Sequence, residues 1–348
     1  MEVKEFLSKL CEAPRICGYE SDCVKFIASA FSEYLDNVKT DTFGNVIGVK
    51  KGRGKGTLML TGRIDEIGMM VTNIDGRGFI RFTAIGGFDA RVLPAQEVII
   101  HGREKLYGVI GVKPPHLTPP GEKNNAYKAE DLFIDTGFSR EKLVELCGIG
   151  DIITLRSNIF ELKNGRFSGK SMAGAASAAV LLSAMRYLSQ NSHDLDVYYV
   201  AATQAKAGIC RVINSAYGIE PDIAIAFGAS FGKTPELDEI KTIEMGKGPA
   251  IAIGPVIHPR VYESLIKSAL NINITYQIKV LPISTGTDAD NIQISGTGIA
   301  TGVILTPLKY MHTSVETAEF EDIDQTGRLI NEFINAFNDI EMEAALCL

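Results

Sequence analysis

The sequence predicts an α/β protein, a sandwich of helices around a mixed sheet with a β-barrel-like domain inserted into it. Three observations predict this. Helical and strand patterns alternate from the N-terminus to about Ile67; short β-rich pieces separated by Gly, Pro and Asp turns replace them between Gly68 and Leu162; and the alternation returns after Gly169. Residues 1–67 and 163–348 are therefore assigned to the α/β domain and 68–162 to the insertion. A chain of 348 residues is also longer than a single core usually serves.

Taken in order, Val3 to Ala13 and Ser21 to Leu35 carry apolar residues at helical spacing, and Ser21-Asp22 is a helix start signal. Val46 to Val49 and Thr57 to Thr61 read as strands, the second an apolar run suited to the buried interior of a mixed sheet. The basic Lys51-Gly52-Arg53-Gly54-Lys55-Gly56 between them reads as a turn, not a phosphate cradle. The insertion contributes strands at Met69 to Ile74, Phe79 to Ala84, Glu97 to His101, Leu106 to Val112 and Asp151 to Leu155, with a polar loop from His116 to Ala129. Beyond it come helices at Met172 to Gln190, Ala207 to Tyr217, Val261 to Leu270 and Asp322 to Phe337. Strands are expected at Val197 to Ala202, Ile223 to Phe227, Tyr276 to Val280 and Ala300 to Leu305.

Composition excludes several functions. Hydrophobic residues make up 45% and charged residues 22%, as in ordinary globular proteins, and the net charge of -7 disfavours nucleic acid and anionic membranes as partners. No apolar run is long enough to span a bilayer, and Met1 to Leu7 starts an amphipathic helix rather than a signal peptide, so the expected location is the cytoplasm. Six cysteines, at 11, 17, 23, 147, 210 and 347, form no CxxC pair and read as reduced, mostly buried thiols.

Ligands of α/β sheets collect outside the carboxyl ends of the strands. The joints that matter are then Gly62 to Glu66, Gly169 to Ala175, Gln204 to Gly208, Phe227 to Ser230 and Tyr310 to Thr313. Along nearly the whole chain runs a series of motifs: Cys17-Gly18-Tyr19-Glu20, Asp65-Glu66-Ile67-Gly68, Ile85-Gly86-Gly87-Phe88, Gly108-Val109-Ile110-Gly111 through His116-Leu117, and Phe133-Ile134-Asp135-Thr136-Gly137. Met245-Gly246-Lys247-Gly248-Pro249, Gly286-Thr287-Asp288-Ala289 and Pro307-Leu308-Lys309-Tyr310-Met311-His312 follow. In this order they resemble the tetrahedral (TET) aminopeptidases, also called glutamyl aminopeptidases or, from an older attribution, cellulase M. The resemblance implies the zinc-peptidase type of α/β sandwich, a cytoplasmic enzyme with two Zn or Co ions, and assembly from dimers to dodecamers.

Carried over position by position, the resemblance implies a degenerate metal site. Arg63 stands where the family's first His ligand does, Ala173 where its bridging aspartate does, and Gln204-Ala205-Lys206 where the Gln-Glu-Glu motif supplies the base and then a ligand. The next aspartate falls on Gly228, to within one residue. His312 alone survives of five ligands, and Ala205 takes the place of the catalytic base. Two metal ions lower the pKa of a bridging water and clamp the reacting oxygens while a carboxylate takes the proton, and a bound zinc needs at least three protein ligands. A fixed cation about 4 Å from a dication meets roughly 8 kcal/mol of repulsion at an effective dielectric near 20. Arg63 and Lys206 are thus expected to replace the metals, with Asp65 pairing to one of them, and no cofactor is predicted.

Taken singly, Arg63 also reads as a solvated strand end and Ala173 as a helix-packing residue, since Gly174 to Ala179 suits close helix approach. Asp288, Asp290 and His312 are a candidate weak cation site. Cys210 either faces the pocket beside Lys206 or packs within its helix. His101, His116, His193 and His258 lack ligand spacing. Three readings follow, in order of support. The first is a catalytically silent peptide-binding or assembly subunit, a homo-oligomer or a partner of an active relative. The second is a metal-dependent aminopeptidase with a rebuilt site. The third is a glycoside hydrolase, for which no acid and nucleophile pair of carboxylates is evident.

Overall fold

The computed structural model describes residues 1–54, 56–117, 126–206, 208, 211–235 and 237–337. Its main sheet has eight strands in the order Asn37–Thr40, Val46–Lys50, Asp196–Ala202, Thr57–Arg63, Ile223–Phe231, Ala300–Leu308, Ala250–Ile253 and Gln277–Val280. The four in the middle are parallel, and antiparallel strands flank them on both sides. Parallel strands covered on both faces are apolar in their interior, which is why Thr57 to Thr61 reads as an apolar run, and the strand extends it to Arg63. Its alternate residues serve different cores. Leu58 and Leu60 pack with the long helices on one face, whereas Met59 packs with Val200, Val212 and Ala216 on the other.

Helix Met172–Leu188 lies against this sheet and is buried nearly all round. Its small residues set the approach: a Cβ on Gly62 would come within 3.0 Å of Ser177 Cβ, and one on Gly174 within 3.0 Å of the Asp65 carbonyl oxygen. The expectation of close packing there is met. Buried Arg15 locks the same corner, donating to the carbonyls of Leu10, Ile64 and Ser171.

The strands Gly68–Ile74, Ile80–Ile85, Phe133–Asp135, Lys105–Gly111, Glu97–His101 and Ile152–Leu155 close a six-stranded antiparallel barrel around Met69, Val71, Val98, Ile100, Ile134 and Ile153. Several short elements escape sequence patterning: Asn37–Thr40, Phe133–Asp135, Ala250–Ile253 and helix Arg140–Leu146. So does a small sheet made by Phe160–Leu162, Arg166–Gly169 and Glu316–Glu319. With three or four residues, such strands offer too little alternation to register a period. The helix expected from Ala207 begins at Val212, because the chain first turns at Gln204 to Lys206; Ala207, Ile209 and Cys210 lie outside the described residues. Most of the loop expected at His116 to Ala129 also lies outside them. Among the described residues no helix is long and apolar enough to cross a membrane.

Candidate functional site

The carboxyl ends of the parallel strands converge on a cavity of about 340 Å³. Arg63 and Asp65 enter from the strand Thr57–Arg63 and the turn after it, Ala173, Gly174 and Ser177 from the helix, and Lys206 from the loop after Asp196–Ala202. Phe227, Gly228, Ala229 and Phe231 come from the next strand, and Gly286, Thr287, Met311 and His312 from two further loops. Every position that the sequence singles out around a metal centre, Arg63, Asp65, Ala173, Lys206, Gly228 and His312, is brought to this one cavity. Asp288 lies just behind it. Cys210 is outside the described residues, and Ala205 sits in the turn beside Lys206.

Backbone strain gathers at the rim. Ser171, Gln204, Tyr310 and His312 all hold positive φ, at 56°, 56°, 57° and 67°, in three of the loops that build the cavity. Left-handed non-glycine residues cost of order 1–3 kcal/mol each and persist only where their surroundings over-determine them. Here the ties are visible. Glu316, buried in the small sheet, accepts from the His312 amide at 2.7 Å and from the Ala173 amide at 3.0 Å, binding the histidine loop to the helix start. Gln204 donates its amide to Glu20 Oε1 at 3.0 Å and its side chain to the Phe43 carbonyl at 3.1 Å. Glu66 accepts from Lys170 Nζ and Ser171 Oγ, each at 2.6 Å, and from the Arg15 amide at 2.8 Å. Burial opposes the charge of Glu66, but Lys170 and Arg15 outweigh it and hold its pKa below the ordinary value.

The pairing expected between Asp65 and a neighbouring cation needs correction. Arg63 turns to Asp288, with Nε 2.7 Å from Oδ1, and also donates to the Gly286 carbonyl at 2.8 Å. Asp65 instead accepts the backbone amide of Lys206 at 2.6 Å through Oδ2. The strand ends at Arg63, so Asp65 already lies in the turn beyond it: Arg63 reaches across to the loop 286–288 while Asp65 meets the loop of Lys206. The Asp288, Asp290 and His312 cation site is not formed among the described residues. Asp288 is engaged by Arg63 and Thr61, and Asp290 accepts from Ser284, Thr285 and Gly286 within its own loop.

Burial lifts the Asp65 pKa against the pull of the Lys206 amide, and it lifts Glu20 to about 7. Burial and then the Lys206 charge hold His312 below the usual imidazole value, so its ring is neutral at physiological pH. The barrel loop borders His312, where a Cβ on Gly87 would make an ordinary contact with Nδ1 at 3.8 Å. At Gly228 a Cβ would meet Thr287 Cγ2 at 2.8 Å and Leu305 Cδ2 at 3.1 Å. Sequence reasoning missed Glu316 and Phe231, which nothing in their local pattern marks, whereas Met311, Glu20 and Glu66 stand inside motifs already noted and Ser177 inside the small-residue stretch.

The family model described as M42 glutamyl aminopeptidase matches residues 44–329. The chain belongs to the M42 glutamyl aminopeptidase family. This M42 chain is 32% identical to the lysyl aminopeptidase of Pyrococcus furiosus over 343 residues, covering 97% of itself and 98% of that protein. Among solved structures it is similar to the TET aminopeptidase of a marine-sediment Thaumarchaeota archaeon, at 28% identity and a TM-score of 0.94, over 99% of this chain and 98% of that one. It is also similar to the TET1 peptidase of Pyrococcus horikoshii, which can assemble into a tetrahedron or a large octahedral shell, at 26% identity and a TM-score of 0.84 over 97% of this chain and 100% of that one. The M42 assignment accounts for the mixed sheet and the barrel together.

Proposed function

We propose that this M42 chain is a cytoplasmic peptide-binding member of its family that works without the paired metal ions of an aminopeptidase. The observation that carries this reading is the donor set around His312. Among the described residues it belongs to no group of three His, Cys, Asp or Glu side chains whose ligand atoms lie within 4.8 Å of one another. Two adjacent metal ions need more than that. Lys206 brings a positive side chain to the cavity, Arg63 is paired with Asp288, Ala173 offers no donor, and at Gly228 Thr287 and Leu305 crowd the space a side chain would start from. The residues present do not fit a dinuclear centre.

What the cavity does offer is a pocket for part of a peptide. Phe227, Phe231, Met311 and Ala229 supply apolar wall, while Lys206 and the neutral His312 ring supply donors for a carbonyl or carboxylate. Homo-oligomeric assembly, with residues 68–162 as the unit contributing contacts, belongs to the same reading and is supported by the assembly described for the Pyrococcus horikoshii relative. The relatives' aminopeptidase names favour a second reading, peptide hydrolysis at a rebuilt centre. The two separate cleanly. Aminoacyl p-nitroanilides should show no chelator-sensitive turnover with the purified protein, with or without added Zn or Co. Turnover abolished by chelator, together with anomalous-scattering peaks for two ions beside His312, would establish the second reading instead.

A further inference from the structure

One group of metal-binding side chains does exist in the molecule, behind the cavity rather than in it. Cys17 and Glu20 come from the loop between helices Val3–Glu12 and Ser21–Phe31, and Asp65 from the turn after the strand Thr57–Arg63. A parallel bridge between Ile16 and Glu66 draws the two segments together. The sulfur and one oxygen from each carboxylate all lie within 4.8 Å of one another, the only such grouping of His, Cys, Asp and Glu among the described residues. All three are buried, at 9%, 4% and 1% exposure. We propose that Cys17, Glu20 and Asp65 bind one divalent transition-metal ion of the zinc or cobalt kind.

The second observation pointing to a ligand is a buried oxygen. Asp65 Oδ2 accepts the Lys206 amide, but Oδ1, equally sealed from solvent, accepts no hydrogen bond among the described residues. Glu20, facing it, accepts the Gln204 amide through Oε1. Two buried carboxylates turned toward each other with an oxygen left over are costly unless something positive stands between them. A divalent ion does this and balances the charge. Thiolate and two carboxylates carry three negative charges, the ion two positive, and Lys206, whose charge acts on Asp65, supplies the last, while Arg63 is engaged by Asp288. Binding releases the thiol proton and any proton held on Glu20.

Donor chemistry narrows the metal. A thiolate beside carboxylates suits zinc or cobalt and not magnesium or calcium, which take oxygen alone. The ligand atoms of tetrahedral zinc stand roughly 3.5 Å apart, so the three donors need only draw in by about 1 Å. Asp65 also lines the cavity, so an ion would enter from that side. One ion here is a different thing from the pair that the family's aminopeptidases use around His312, and the inference does not rest on the peptide-binding reading.

The test uses the full-length protein, stripped with chelator, dialysed and titrated with Co²⁺ by absorption, then with competing Zn²⁺. One equivalent per chain should bind with a near-ultraviolet thiolate-to-cobalt charge-transfer band that Zn²⁺ abolishes. Cys17→Ser should lose the band, and Glu20→Gln should weaken Zn²⁺ binding at least tenfold. No band in the wild-type protein would mean that the carboxylates share a proton instead, and would overturn the proposal. So would a band that persists in Cys17→Ser, or Zn²⁺ affinity unchanged in Glu20→Gln. Two equivalents bound without any thiolate band would place the metal at His312 and overturn both this inference and the proposed function, whereas a single Cys17-dependent ion without peptidase activity supports both.

Discussion

At Arg63 the guanidinium sits on a buried carboxylate, and the two are of unequal exposure: 25% for the Arg63 side chain and 1% for Asp288. Removing the outer partner takes the ion pair from a buried carboxylate that Thr61 Oγ1 also contacts at 3.2 Å. Arg63→Met should therefore cost about 2 kcal/mol in urea unfolding at neutral pH, below the full buried-pair value because water reaches the arginine. A loss under about 0.5 kcal/mol would make the pair an incidental surface contact. This pairing shows the limit of reading single residues from sequence. That Arg63 occupies the cavity was legible, because strand ends in such sheets point there. Its partner was not, since Asp288 lies far along the chain and Asp65, two positions away, seemed the nearer carboxylate. Glu316 was illegible for the same reason, its work being done on the amides of residues 173 and 312, which carry no mark in the pattern.

Helices of eight or more residues and buried strands of seven or more were legible because burial imposes a period or an apolar run on them, and Thr57–Arg63, Met172–Leu188 and Phe320–Ala336 all lie within a few residues of where the sequence puts them. The short strands of the small sheet were not, because their pairing is decided by partners distant in sequence. Helix Phe320–Ala336 carries a titratable device in its first turn. Asp322 accepts the amides of Gly246 and Gly248, each at 2.9 Å, yet burial outweighs these bonds and lifts its pKa to about 7. Unfolded, an aspartate titrates near 3.9. Between these values the folded chain binds more protons, so the contribution of Asp322 is complete below about pH 4 and is lost as pH rises through about 7. Asp322→Asn removes that dependence. The stability of wild type minus variant, followed by urea unfolding from about pH 5 to about pH 8, should fall with rising pH; a flat difference would place the Asp322 pKa at its ordinary value.

For the whole molecule, the α/β sandwich and its barrel-like insertion were visible as a change of texture along the sequence, and the family motifs in their order carried the fold class. Assembly was reached only through resemblance, since exposed apolar residues such as Tyr107, Val109 and Ile149 on the barrel side carry no signature of what covers them. Light scattering should find at least a dimer, and a monomer at micromolar concentration would remove assembly from the reading. The place of Gly228 in the architecture has one more consequence. Its strand runs between two parallel neighbours, with Phe227 opposite Gly62 and Gly228 opposite Leu305, so the main chain there has nowhere to retreat. Anyone wishing to engineer a carboxylate into that spot would find the first carbon of the new side chain already jammed against a threonine methyl. Rebuilding a catalyst on this scaffold is therefore an ordered task, in which the wall at Thr287 must be hollowed out before any charge can be grafted beside it.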